Sequence, residues 1–191
     1  MEDLNHLYEH FQTKLQAVSG ESHRVKTLKE AEELIAQIMK EKGIESVAMV
    51  NSPMAEAMNL PEKLSDHGVT VYMERYPEVT PTVGAGITEV KWAVAELGTL
   101  IQYAEDVNER LCSSFTPIHI ALVQTSTLLP NLMTALATVH NEPRIPGFVG
   151  FITGPSRTSD IERVLTIGVH GPEQLVAVFV DEQAGEGVVN G

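Results

Sequence analysis

The chain has 191 residues, carries 26 Asp and Glu against 13 Lys and Arg for a formal net charge of −13, and contains one cysteine. That length suits a single domain with a sizeable core, and the acidic balance argues against general nucleic-acid binding and against anionic membrane surfaces, which both need clustered Lys and Arg. The lone Cys112 excludes an internal disulfide, a four-cysteine structural zinc site and an iron–sulfur cluster held by this chain alone.

Met1-Glu2-Asp3 offers no basic start and no apolar run follows, so no signal peptide is expected. No stretch approaches ~18 apolar residues, so no membrane span is expected. With no disulfide possible, a cytoplasmic location is the expectation.

In chain order, Leu4, Leu7, Phe11, Leu15 and Val18 recur at three- and four-residue steps and predict a helix over 4–18, stopped by Gly20. Residues 19–26 read as a loop. Thr27 and Glu30 have capping-box spacing, so a second helix should start there, with Ala31, Leu34, Ile35, Ile38 and Met39 as its apolar stripe and Gly43 as its end. Apolar runs predict strands at 47–50 and 69–72, and a proline-bearing stretch, 76–83, leads to Gly84-Ala85-Gly86. Ile87, Val90, Val94 and Leu97 take helical spacing. Strands follow at 99–103, 118–123, 148–152 and 175–180, with helices at 128–139 and 160–165. Strands with buried composition alternating with helices predict an α/β fold with a mainly parallel sheet, flanking helices and an N-terminal helical segment. The expected organisation is a helix and loop over 1–26, an α/β domain over 27–181 and a frayed tail over 182–191.

Chemistry-bearing residues concentrate in the second half. Thr153-Gly154-Pro155-Ser156-Arg157-Thr158 follows a predicted strand, and Ser159 with Glu162 has capping-box spacing. A small hydroxyl-rich turn between a strand end and a helix start is where α/β sheets bind ligands, and its N–H groups suit an anion. No lysine occurs after Lys91, and the last hundred residues hold four cations, Arg110, Arg144, Arg157 and Arg163. Arg157 is therefore a candidate clamp for carboxylate or phosphate, or else it pairs with Asp160 or Glu162 and fixes the turn. Gly86 and Thr88 read as part of a glycine turn, either for close ligand approach or simply for a tight bend. Glu96 is a candidate base or nucleophile, or a turn-capping carboxylate. His170, in a glycine-flanked turn, is a better ligand-facing histidine than His119, which lies in an apolar strand. No His/Cys spacing points to a metal.

Gly86-Ile87-Thr88, Ala95-Glu96-Leu97-Gly98-Thr99-Leu100, Arg110 with Pro117-Ile118-His119-Ile120, the stretch from Ile152 to Glu162, and Gly168-Val169-His170-Gly171-Pro172 together resemble the LUD-domain family, of the lactate utilization protein C (LutC) type. The likeness spans about 80–181 and departs at Leu97, where the family usually shows Thr. It implies the α/β fold shared with phosphosugar isomerases and CoA transferases. It also implies a non-cluster subunit of an L-lactate oxidation system, taking lactate to pyruvate with iron–sulfur partner proteins, one of which carries its own LUD domain. In that reading this chain holds no cofactor, and a small carboxylate or phosphate ligand would meet Gly86, Thr88, Thr153, Gly154, Ser156, Arg157 and Thr158. The alternative is a self-sufficient enzyme on the same scaffold, with Glu96 and His170 catalytic and Arg157 as anion clamp.

Overall fold

The computed structural model describes residues 3–159, 165–167 and 171–184. In chain order these form α1 (Leu4–Ala17), β1 (Glu21–Val25), α2 (Leu28–Glu41), β2 (Ser46–Met49), α3 (Pro53–Ala57), α4 (Leu60–Asp66), β3 (Thr70–Tyr72), α5 (Tyr76–Val79), β4 (Ala85–Val90), β5 (Trp92–Val94) and β6 (Thr99–Ala104). There follow α6 (Val107–Ser114), β7 (Ile118–Gln124), β8 (Leu128–Leu129), α7 (Leu132–Asn141), β9 (Phe148–Ile152), β10 (Arg157–Ser159), β11 (Leu165–Ile167) and β12 (Gln174–Val180).

Six strands make a parallel sheet in the order β1-β12-β7-β4-β2-β3. A second sheet runs β8-β5-β6-β9, antiparallel except where β8 joins β5. The chain crosses from one sheet to the other at Lys91, between β4 and β5. One face of the parallel sheet offers Ile87, Ile120, Leu122, Val176 and Val178 to Ile35, Ile38 and Met39 of α2 and to Leu60 and Leu64 of α4. The other face offers Ala121, Val123, Ala177 and Phe179 to Leu7, Phe11 and Leu15 of α1 and to Leu100 of β6. The Phe11 ring meets Phe179 edge-on at 4.8 Å. Trp92, Val94 and Ile101 turn the outer face of the second sheet onto Ala135 of α7. The expected α/β architecture is therefore present, with an antiparallel sheet between the parallel sheet and the last helix.

The start of α2 follows its sequence signal. Thr27 Oγ1 accepts from Glu30 N at 3.1 Å and Glu30 Oε2 accepts from Thr27 N at 3.3 Å. Thr27→Ala should cost about 1 kcal/mol by removing this cap, read as a lower denaturation midpoint with an unchanged slope.

Four expectations change. Residues 21–25, read as a loop, form β1; as an edge strand it pairs with β12 and buries only Ser22, and four of its five side chains are polar. Residues 87–97, read as a helix, are β4, β5 and the turn after them. Both strands are covered on both faces, which removes alternation and lets apolar residues fall at helical spacing by coincidence. The helix expected over 128–139 begins at Leu132, because Leu128 and Leu129 pair with β5 and Asn131 supplies the cap. The helix expected over 160–165 lies mostly outside the described residues; its last residue, Leu165, is in β11 and pairs with Ser159.

Candidate functional site

The predicted anion turn leaves β9, which belongs to the antiparallel sheet. It runs beside the N-terminal ends of β7 and β12: Ser156 N donates to Pro172 O at 2.8 Å, and Glu173 N donates to Pro117 O at 2.7 Å. The turn thus lies at the edge opposite the one where parallel sheets usually bind ligands. Thr153, Gly154 and Ser156, with Gly171 and Pro172, line a groove of about 490 Å³ walled by Phe148, Gly150 and Ile152 and containing Gln102 and Ser113.

The side chains of the turn are largely committed within the protein. Thr153 Oγ1 bonds Thr99 Oγ1 at 2.7 Å. Gly154 has φ +96°, and a Cβ there would sit 2.9 Å from Val18 Cγ2. The Arg157 guanidinium donates to Ser19 Oγ, just past the end of α1, where a cation also suits the helix dipole. Neither Asp160 nor Glu162, the partners weighed for Arg157, lies within the described residues. Thr158 is a β10 residue paired with Thr166.

Gly86 and Thr88 are not in a glycine turn. Both belong to β4, in the middle of the parallel sheet. A Cβ on Gly86 would lie 2.0 Å from Cys112 O, so this glycine lets α6 approach the strand. Thr88 is buried, and its hydroxyl bonds His119 Nε2 at 2.8 Å. His119 is wholly buried, which pushes its pKa down to about 4, and its Nδ1 has no hydrogen-bond partner among the described residues. Cys112 is buried too, and burial pushes its thiol up to about 12, away from the reactive thiolate.

Glu96 is exposed in the turn between β5 and β6. Its Oε2 accepts from Leu132 N at 3.0 Å, at the first turn of α7, which is the capping role. Glu96→Ala should therefore loosen α7 and cost about 1 kcal/mol, seen as a lower thermal midpoint. His170 lies outside the described residues.

A second concavity was not anticipated. The connection after β2 leads to β3 on one side, whereas β4 lies on the other side of β2 and continues into the second sheet. Chain leaving the two adjacent strand ends therefore diverges, and such divergence opens a crevice at the C-terminal edge of a parallel sheet. A cleft of about 310 Å³ occupies this place, lined by Ser52, Thr88, Glu89, Lys91, Tyr103 and Glu109 among others. Glu89 Oε2 accepts from Met54 N at 2.9 Å. Glu109 is held above the usual carboxylate range by burial, opposed by two backbone N–H bonds and assisted by Asp106 and Glu105. The Tyr103 hydroxyl is buried without a hydrogen-bond partner among the described residues, and burial followed by Glu142 raises its pKa. These residues come from separate elements, and no sequence motif joins them. The sequence offered two of them separately, Thr88 as a ligand contact in Gly86-Ile87-Thr88 and Lys91 as the last lysine in the chain.

The LUD domain family model matches residues 8–180. The chain belongs to the LUD domain family. Among LUD relatives, lactate utilization protein C 1 of Bacillus mycoides is 29% identical over 162 residues, covering 79% of this chain and 69% of that protein. Lactate utilization protein C of Halalkalibacterium halodurans is 29% identical over 160 residues, covering 80% and 70%. Its counterpart in an Exiguobacterium species reaches 41% identity over a shorter 101 residues, 51% of this chain and 44% of that one. The crystal structure of a DUF162 family protein from Deinococcus radiodurans superposes with a TM-score of 0.63 at 18% identity, over 94% of this chain and 99% of that one. That likeness concerns the LUD fold. Among the described residues of this LUD domain, no helix is long and apolar enough to cross a membrane.

Proposed function

We propose that this chain acts in lactate utilization, as the non-cluster component of a system that oxidises L-lactate to pyruvate together with iron–sulfur partner proteins. The observation that carries the reading is the family match over 8–180, together with relatives called lactate utilization protein C that align with about four-fifths of the chain. Lactate oxidation releases two electrons and two protons. A chain with one cysteine supplies too few thiolates for a cluster of its own, and here that thiol is buried and raised. In this reading the electrons leave through partner subunits. The groove beside Thr153, Gly154 and Ser156 is where a small anion would be sought, with backbone N–H groups rather than Arg157 as its first contacts.

The test is reconstitution. Lactate-dependent reduction of an electron acceptor by the partner proteins should fall to background when this chain is omitted and return when it is added. Full activity without it overturns the reading, as does failure to co-purify with cluster-bearing proteins.

A further inference from the structure

We propose that β9 is a self-association edge: two copies of this chain pair antiparallel along their β9 strands, about a two-fold axis centred on Gly150, and join their antiparallel sheets into one. β9 ends the order β8-β5-β6-β9, and β6 is its one strand neighbour among the described residues. Alternate N–H and C=O groups on its outer side therefore face away from the sheet. Proteins ordinarily blunt such an edge with a charge, a proline or a bulge. Phe148-Val149-Gly150-Phe151-Ile152 has none of the three: it pairs with β6 residue for residue and contains neither charge nor proline. Phe148 is 39% exposed and Phe151 45%.

Charge selects the occupant. The chain is 20% charged with a net −13, yet residues 145–156 contain no Asp, Glu, Lys or Arg, and Arg144 and Arg157 bound that stretch. Arg110 lies over the Phe148 ring, 5.1 Å from its centroid. Two such acidic molecules repel over most of their surface, whereas pairing along this stretch brings no two carboxylates into register.

The strand also complements itself. A two-fold contact sets residue i opposite j and j opposite i. In antiparallel pairing only the register centred on Gly150 engages all five residues. It sets Phe148 opposite Ile152 and Val149 opposite Phe151, each twice, and such apolar cross-strand pairs stabilise a sheet. Val149 packs with Trp92, Val94 and Ile101 on the α7 face, and Ile152 packs on the cluster of the opposite face, so both apolar layers continue across the axis. The groove beside Thr153 and Ser156 has β9 as a wall, which the strand of the second copy extends. A five-residue edge falls short of the roughly 800 Å² per partner of a standard interface, so association in the micromolar range is expected.

The inference is independent of the lactate reading and is tested on the full chain without ligand. Sedimentation equilibrium from about 1 to about 500 μM should show conversion to twice the mass of the chain. Salt at about 0.5 M should tighten the dimer relative to about 0.05 M by screening the acidic surfaces. Phe151→Lys should weaken it about tenfold with the circular dichroism spectrum unchanged, and Phe151→Leu should keep it. Gly150→Cys reads the register. Cys112 is buried, so position 150 then holds the one accessible thiol, and a Cβ there meets first the end of the half-exposed Phe148 ring, at 2.9 Å. Mild oxidation should link two copies through it. Gly147→Cys should not link, because its two copies would lie about 20 Å apart along the paired strands. A monomer at every concentration, a dimer loosened by salt, a dimer indifferent to Phe151→Lys, or cross-linking no better at 150 than at 147 would overturn the proposal. Should Phe151→Lys fail to fold, the cross-link decides.

Discussion

Gly86→Ala should lower the melting temperature by roughly 6–12 °C, corresponding to about 3 kcal/mol in a chain of this size. The added methyl would lie 2.0 Å from Cys112 O and 2.8 Å from both Cys112 C and Thr116 Oγ1. Two of these atoms are backbone of α6 and none is the end of a long flexible side chain, so the helix itself must move. It is tied in place: Thr116 Oγ1 donates to Cys112 O at 2.9 Å, and Ser113 Oγ donates to Gln102 Oε1 at 2.8 Å. Displacing α6 therefore strains its contacts with both sheets. Gly147→Ala is the control, since a Cβ there meets nothing within 4 Å; it should stay within about 0.5 kcal/mol. Equal midpoints for the two variants would mean that close packing is not why glycine occupies position 86. The same measurement separates packing from ligand approach, because it needs no ligand.

The case of Gly86 shows where sequence reading succeeds and where it stops. Local signals carried the elements that local chemistry decides. The Thr27–Glu30 capping box and the stripe from Ala31 to Met39 placed α2, and apolar runs placed β2, β7, β9 and β12. Pairing partners are a non-local property and left no such mark. The five residues of β9 look like any buried strand, yet they join the antiparallel sheet beside β6, which puts the Thr153–Ser156 turn at the unexpected edge of the parallel sheet. β1 looked like loop because an edge strand with one paired side keeps polar side chains. Ile87 to Leu97 looked helical because strands buried on both faces show no alternation.

The candidate chemistry divides along the same line. Glu96 and Arg157 stand out in sequence because they are charged residues in distinctive turns, and the structure engages them with Leu132 N and Ser19 Oγ. Thr88 belongs to the Gly86-Ile87-Thr88 motif, whereas Tyr103 belongs to none. They gain a shared context only when β4 and β6 come together around one cleft. Charged turn residues are conspicuous whether they serve the fold or a ligand. An unpaired donor is visible only after every other group has found its partner.

His119 makes stability fall as the solution is acidified. Its wholly buried ring has a pKa of about 4 against an ordinary 6.5. Between these values the unfolded chain binds a proton that the folded chain refuses, so stability rises with pH across the window and is lost as pH falls from 6.5 toward 4. The loss should be about 2 kcal/mol between pH 7 and pH 5 and about 3 kcal/mol by pH 4. Other shifted carboxyls act elsewhere or oppositely. Burial pushes Glu21 upward, but His23 and Lys42 hold it below its ordinary value; Asp181, likewise partly buried, is held down by Arg24. Their contributions disappear only below the carboxylate range. Glu109, raised mainly by burial, gains from acid instead of losing. His119→Gln removes the titrating ring, so its unfolding free energy should differ by less than about 0.5 kcal/mol between pH 7 and pH 5, whatever its absolute stability. Urea melts at both pH values compare the two proteins. Parallel losses in wild type and variant would assign the acid sensitivity to other histidines. A flat variant would fix His119 as neutral in the folded protein, the state in which its single ring proton is available to Thr88.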